Sequence, residues 1–339
     1  MSTPRTSTGQ TVVDNPFVER GRITEPRQFA GRWSELSLIF DAIQAGRPVL
    51  VSGSPGIGKS SLVSHVADAA AVNLEREDLQ AFYLDLAGAT GPDDVYRTVA
   101  EALGQRGSTA AALEVALLAD DSPTILCLDN AHVALGAGWG EGLLETLARV
   151  VRGGGLMLVA AMDGQPPLLS ERFAYVRLGA FAPAELRLLA ETYLDGTGVQ
   201  FTPEDMRALA ALSVSHPAYV QRAASHLFRS KLEPGYDWRA AYLTEARERP
   251  VPGAPLPPAV FEGDGAADGE RSLYGGVGGA GAQPGPRLAS LPETSPAALV
   301  ALLVFAAALA IAVTAGPLPA LLAVALAVGA ALLWSRRRA

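Results

Sequence analysis

Cysteine is nearly absent from this sequence. Cys127 is the only one among 339 residues, so an internal disulfide is excluded, and no grouping of Cys and His has metal-ligand spacing. A basic excess is missing too. Lys and Arg number 27 against 35 Asp and Glu, a net charge of −8 with a pI near 5.1. That balance leaves no surplus of cations to neutralise a phosphate backbone, which argues against a general nucleic-acid binder while permitting a local basic patch. The N-terminus (Met1 to Gln10) is rich in Ser and Thr and has no apolar stretch, which argues against a secretory signal peptide. Charged residues make up only 18% of the chain and hydrophobic ones 49%, a composition that fits a globular protein with an added apolar segment. The length suits one large or two medium domains with extra segments, and the soluble portion reads as cytosolic.

Residues 1–14 are polar without hydrophobic periodicity and are expected to be disordered. Phe29, Trp33, Leu36, Ile39, Phe40 and Ile43 then recur at the spacing of an amphipathic helix, which Pro48 ends. Val49-Leu50-Val51-Ser52 reads as a buried strand running into a glycine-rich turn, and residues 62–71 return to helical character. Further strands are expected at 81–86, 124–128, 156–162 and 174–178, with helices at 93–103 and 141–151 between them. Strands alternating with helices predict a parallel sheet covered on both faces, an α/β fold over residues 15–180.

After Leu178 the strand signals stop. Helices opening near Pro183, Pro203 and Pro217, and a fourth over 238–249, predict a small helical lid domain over 181–249. Residues 250–296 turn to Pro, Gly and Ala, the composition of a flexible linker. Residues 297–315 then carry no charge, and at ~1.5 Å rise per residue they span about 28 Å, close to the hydrocarbon thickness of a bilayer. A second apolar stretch covers 318–334, with Arg336, Arg337 and Arg338 behind it. The pair is expected to form a transmembrane helical hairpin over 297–335, against the alternative of a soluble hydrophobic hairpin that docks on a partner. The arginines place the C-terminus, and with two spans the soluble domain as well, on the cytoplasmic side of a cell membrane.

Gly53-Ser54-Pro55-Gly56-Ile57-Gly58-Lys59-Ser60 matches G-x-x-x-x-G-K-[ST] at every fixed position, between an expected strand and an expected helix. The glycines let the backbone wrap until its N–H groups converge on phosphate oxygens, and the helix adds its positive N-terminal end. Lys59 is then expected on the β- and γ-phosphates and Ser60 on Mg²⁺, with Ser61 completing the loop's contacts. An apolar strand ending in an acid should lie beside this loop to organise the metal through water. Ile125-Leu126-Cys127-Leu128-Asp129 supplies it, which makes Asp129 the second metal-site residue.

Asn15-Pro16-Phe17, then Phe29-Ala30-Gly31-Arg32 with Glu35-Leu36 ahead of the phosphate loop, resembles the leading segment of bacterial STAND-type, AAA-like P-loop ATPases. Arg177-Leu178 followed by Pro183-Ala184-Glu185-Leu186 resembles that family's passage into its lid. His216-Pro217-Ala218-Tyr219 resembles the lid's G-x-P segment, with Ser215 where glycine is usual. The resemblance implies ATP with Mg²⁺ as ligands, and no N-K-x-D guanine signature opposes it. It further implies nucleotide contacts from Phe29, Gly31 and Arg32, and from His216. Many such ATPases carry Glu after the metal-site Asp to polarise water; here Asn130 stands there, and an amide cannot take a proton. Asn130 could still orient water, and His132, Asp85 and Glu141 are the other candidates. Asp163 or Gln165, after the fourth strand, is the expected sensor of the γ-phosphate. The family implies a regulatory switch in which ATP–Mg²⁺ bridges sheet and lid, acting on an unidentified protein partner or through nucleotide-dependent self-association, and the expected hairpin would tether it to a membrane. The alternatives are a nucleotide-binding scaffold with little or no hydrolysis, favoured by Asn130, and a membrane motor, which lacks a threading loop and an arginine finger.

Overall fold

The computed structural model describes residues 14–18, 21–119, 122–154, 156–167, 169 and 172–262. The expected hairpin over 297–335, the expected linker beyond residue 262 and the stretch before Asp14 that is expected to be disordered lie outside those residues. Among the described residues, no helix is long and apolar enough to cross a membrane.

In chain order the elements are α1 (Trp33–Gln44), β1 (Val49–Gly53), α2 (Lys59–Asn73), β2 (Gln80–Asp85), α3 (Pro92–Ala102) and α4 (Ala110–Ala119). Then come β3 (Thr124–Asp129), α5 (Ala131–Gly136), α6 (Gly140–Gly153), β4 (Leu156–Asp163) and β5 (Ala174–Arg177). The helical part follows with α7 (Pro183–Leu194), α8 (Pro203–Ser213), α9 (Pro217–Leu232), α10 (Trp238–Glu248) and α11 (Ala259–Glu262). Helices α4 and α5 lie where the sequence pattern predicts no helix. Helix α4, AAALEVALLA, is apolar nearly all round, so it shows little of the one-sided pattern on which a helix is recognised.

Among the described residues, five strands pair in parallel, in the spatial order β2-β3-β4-β1-β5. Side chains alternate between the two faces, as the pleat requires. Leu50, Leu126, Leu128, Leu158 and Ala160 join a core with α3, α4 and α6. Val49, Val51, Ile125, Cys127, Val159 and Ala161 join the opposite core with α1 and α2. Burial on both faces explains why β1, β3 and β4 read as unbroken apolar runs, whereas edge strand β2 is only half-buried. The strand carrying Asp129 was expected beside the phosphate loop; the structure instead inserts β4 between β1 and β3. The carboxyl ends of these strands place Gly53, Asp163 and Asp129 along one edge, where ligands of open α/β sheets bind.

The helical part has its own core, and two stretches assigned elsewhere by sequence belong to it. Phe17 is fully buried there, stacked on Tyr193 at 5.2 Å and Phe201 at 5.8 Å between ring centroids. Asn15 Nδ2 donates to the Ser225 carbonyl at 2.9 Å, so the Asn-Pro-Phe segment is part of the lid rather than of the sheet domain. The start of the expected linker is folded as well. Residues 250–262 pack against the lid through buried Val251 and Val260, and Arg247 donates to the Val260 carbonyl at 2.7 Å. Two apolar anchors in a Pro/Gly-rich stretch were too sparse to register as a core pattern.

Candidate nucleotide-binding cleft

The phosphate loop leaves β1 at Gly53 and enters α2 at Lys59. Gly58 precedes the helix with φ 99°, backbone that L side chains rarely adopt. Gly56 is constrained from outside as well. A Cβ there would lie 2.8 Å from Val251 Cγ1 and 3.2 Å from His216 Cε1, so this glycine lets the lid and the 250–253 segment press on the loop. Ile57 is buried in the sheet core and anchors the loop from beneath.

Lys59 is 7% exposed, and its ammonium has three partners for its three protons. It donates to the Gly53 carbonyl at 3.1 Å and the Ser54 carbonyl at 2.7 Å, and pairs with Asp163 Oδ1 at 2.6 Å. A phosphate bound by the loop competes with these oxygens for the same ammonium. His132, from α5, stands behind Asp163: its Nδ1 accepts the Asp163 backbone N–H at 3.4 Å, and its Nε2 lies 3.7 Å from Asp163 Oδ2.

Asp129 is buried, and both carboxylate oxygens are engaged. Tyr83 donates its hydroxyl to Oδ2 at 2.6 Å, and the Asn130 backbone N–H donates to Oδ1 at 2.9 Å. Burial first, and then the Asp129 carboxylate, push the Tyr83 phenol well above its ordinary value, so it stays a donor. Arg22 stacks on the Tyr83 ring at 4.2 Å. Asn130 adopts a left-handed conformation (φ 55°, ψ 33°), which asparagine tolerates better than most residues. Its amide donates to Asp85 Oδ1 at 2.7 Å. Sequence reasoning saw only an amide where Glu is usual; the backbone geometry supplies a reason for it.

Of the leading segment's three expected contacts, Phe29 and Arg32 line the cleft and Gly31 does not. Phe29 stacks on His65 at 4.1 Å and lines the cleft. Gly31 faces Glu185, where a Cβ would come within 3.1 Å of that side chain. Arg32 borders the cleft yet is 3% exposed and fully engaged: it donates to the Ile57 carbonyl at 3.1 Å, the Gly179 carbonyl at 2.7 Å and Glu35 at 3.0 Å. Glu185 closes the arrangement by accepting the backbone N–H of Arg32 at 2.7 Å and of Ala182 at 2.8 Å.

From the lid, His216 Nε2 meets the Pro55 carbonyl at 3.1 Å, while its buried Nδ1 has no partner. Burial, reinforced by the nearby Lys59 and Arg32 charges, lowers its pKa, so the ring is neutral and Nε2 carries the proton. Ser215, where the resemblance expects glycine, has φ 54°, backbone that glycine adopts without strain. Gln221 and Arg222, on the same helix α9, also line the cleft; helical periodicity does not tell which polar face meets a neighbouring domain, so neither is legible in the sequence. Gln165 and Glu141 are exposed and do not line it, whereas His132 and Asp163 do. The whole cleft has a volume of about 500 Å³, within the range of small-molecule sites. Ser60 and Asp129 offer it a hydroxyl and a carboxylate, hard oxygen donors that suit Mg²⁺ when phosphates supply further ligands. A larger groove between α7 and α8 is lined by Leu186, Leu194, Phe201 and Met206, with Arg187, Glu191 and Asp195 among its charged residues.

The parallel sheet, the loop between β1 and α2 and the acids at the strand ends define a P-loop NTPase fold. Residues 43–167 match the family described as an AAA domain. No curated protein matches the sequence. Among solved structures, the Walker-type ATPase PABY2304 of Pyrococcus abyssi is similar with a TM-score of 0.51 and 13% identity, covering 76% of this chain and 80% of that one. The Aeropyrum pernix ORC1 protein, solved in complex with DNA, is 19% identical over 70% of this chain and 66% of that one, with a TM-score of 0.46. A STAND protein with a tetratricopeptide repeat sensor from Pyrococcus horikoshii is 21% identical over 61% of this chain, with a TM-score of 0.42. The chain spans just under two thirds of the ORC1 protein and 31% of the STAND protein. At these identities the likeness is one of fold.

Proposed function

We propose that this protein is a regulatory switch that binds ATP with Mg²⁺ between its sheet and its helical lid. The observation that carries the reading is the shared phosphate loop: Pro55 and Gly56 touch His216 of the lid and Val251 of the segment that follows it. A change at the loop is therefore felt directly by the chain leading toward the C-terminus. In this reading the backbone N–H groups of residues 56–60 and the start of α2 receive the phosphates, and Lys59 neutralises them. Ser60 and Asp129 would hold Mg²⁺, which when bound offsets charge on the β- and γ-phosphates. Phe29 borders the base side of the cleft, and Arg222 faces the cleft from the lid as a cation whose distance from the γ-phosphate depends on lid position. Differential contact of that kind is what a nucleotide switch requires.

The second reading, a scaffold that holds ATP with little turnover, is favoured by the Asn130 amide and its bond to Asp85. The apolar stretches at 297–315 and 318–334 support, from sequence alone, a two-span tether that holds the switch at the cytoplasmic face of a membrane, where an unidentified protein partner or a second copy would respond.

The test uses the full chain beside Lys59→Ala. Wild type is expected to bind ATP with Mg²⁺, the variant to lose most of that affinity, and proteolytic cleavage within residues 250–262 to differ between ATP and ADP. Equal cleavage in the two nucleotides would overturn the switch, and equal binding by the variant would overturn the site. A reporter fused after Ala339 is expected on the cytoplasmic side; an external signal rejects the two-span tether.

A further inference from the structure

Only two carboxylates line the cleft among the described residues, Asp129 and Asp163. Asp129 is the acid suited to the metal, and its oxygens are held by Tyr83 and the Asn130 backbone. Asn130 cannot accept a proton from water, and its amide is turned to Asp85. Asp85, the third acid at the carboxyl edge of the sheet, is exposed and outside the cleft lining. Asp163 is placed otherwise. It ends β4, the strand between β1 and β3, in register with Gly53 at the start of the phosphate loop. Its Oδ1 lies 2.6 Å from the ammonium that the loop motif directs to the β- and γ-phosphates. A terminal phosphate held by Lys59 would therefore share its ammonium with this carboxylate. His132 Nδ1 accepts the Asp163 N–H at 3.4 Å, and its Nε2 lies 3.7 Å from Asp163 Oδ2, so the ring flanks the carboxylate at Oδ2 while Lys59 Nζ contacts Oδ1.

We propose that Asp163 is the general base of ATP hydrolysis, and that His132 is its positioning residue. The water-activating carboxylate has moved from the position after Asp129 to the end of the adjacent strand. This inference rests on the ATP-binding reading above and removes the chemical objection that Asn130 raises against turnover. In the step, the water oxygen bonds to the γ-phosphorus and the bond to the β,γ-bridging oxygen breaks, its electron pair staying on ADP. Asp163 takes the water proton and later returns it to the released phosphate or to solvent.

The experiment compares full-length wild type, Asp163→Asn and Asp163→Glu. Binding of a fluorescent ATP analogue is measured with and without Mg²⁺, and phosphate release is followed across pH. The amide keeps the shape of the side chain and removes one negative charge beside the phosphates, so Asp163→Asn is expected to bind ATP at least as tightly as wild type. Its phosphate release is expected to fall about 10²- to 10⁴-fold, the usual contribution of a general base. Asp163→Glu should recover part of the rate, and the acidic limb of the pH–rate profile should vanish only in the amide variant. His132→Asn should lower kcat without changing analogue affinity. Release by Asp163→Asn within about threefold of wild type overturns the proposal. Wild type that binds ATP and releases no phosphate overturns it as well, yet leaves the binding reading standing. Wild type that binds no ATP overturns both.

Discussion

Replacing Arg32 with alanine separates two roles that the sequence could not tell apart. A nucleotide contact would lose ATP affinity with the fold intact; an internal tie would lose stability first. The structure favours the tie. Arg32 is 3% exposed and donates to the carbonyls of Ile57 and Gly179, pairs with Glu35, and stacks on Phe181 at 4.7 Å. Hydrogen bonds involving a charged group contribute roughly 1.5–3 kcal/mol each, so the two carbonyl bonds alone set a gross loss of about 3–6 kcal/mol. Partial relaxation, entry of water and non-additivity reduce that, and about 3–4 kcal/mol is the expected net loss, in line with breaking other buried charged pairs. The backbone at this position is left-handed in both proteins, so that strain cancels. Urea unfolding of wild type, Arg32→Ala and Arg32→Lys measures it. The lysine variant should lie between the others, because its ammonium keeps the charge without the planar fork that spans Ile57 and Gly179. A stability loss below about 1 kcal/mol for Arg32→Ala, together with a large loss of ATP affinity, would refute the reasoning.

Two further perturbations probe the contact between the loop and the segment that covers it. Gly253 has φ 72°, and a Cβ there would lie 2.9 Å from Pro55 Cγ, so Gly253→Ala should cost about 1–2 kcal/mol from the backbone alone and displace the loop. Thermal unfolding and ATP titration of this variant should both shift; an unchanged pair of curves means the segment does not bear on the loop. The pH dependence follows from His216 and His65, whose pKa values burial lowers from the ordinary 6.5. The unfolded chain then binds protons that the folded one refuses, so stability is fully present above about 6.5 and is lost as pH falls below it. His216→Asn should flatten part of that slope in unfolding measured between about pH 7.5 and 5.5, and a variant with the wild-type slope would exclude His216 as a contributor.

The alternation of strands and helices was legible because double-sided burial forces β1, β3 and β4 to be apolar along their length, and prolines at 183, 203 and 217 mark helix starts directly. The phosphate loop was equally plain, since its glycines, Lys59 and Ser60 are contiguous. What sequence could not show were partners far apart in the chain. Phe17 looked like part of the segment leading to the sheet and is instead buried among Tyr193, Phe201 and Phe228. Val251 looked like linker and is instead packed on Gly56, 195 residues away by their sequence numbers.

By itself, then, the sequence determined the local chemistry of this protein: a phosphate-binding loop at residues 53–60, an acid ending an apolar strand at Asp129, and an amide where a base is usual. Those features depend on adjacent residues, whose geometry the backbone already constrains. Tertiary structure decided which acid stands next to Lys59. Strand order is set by how the two helix layers cover the sheet, and by placing β4 between β1 and β3 it puts Asp163, rather than any neighbour of Asp129, against the ammonium at 2.6 Å.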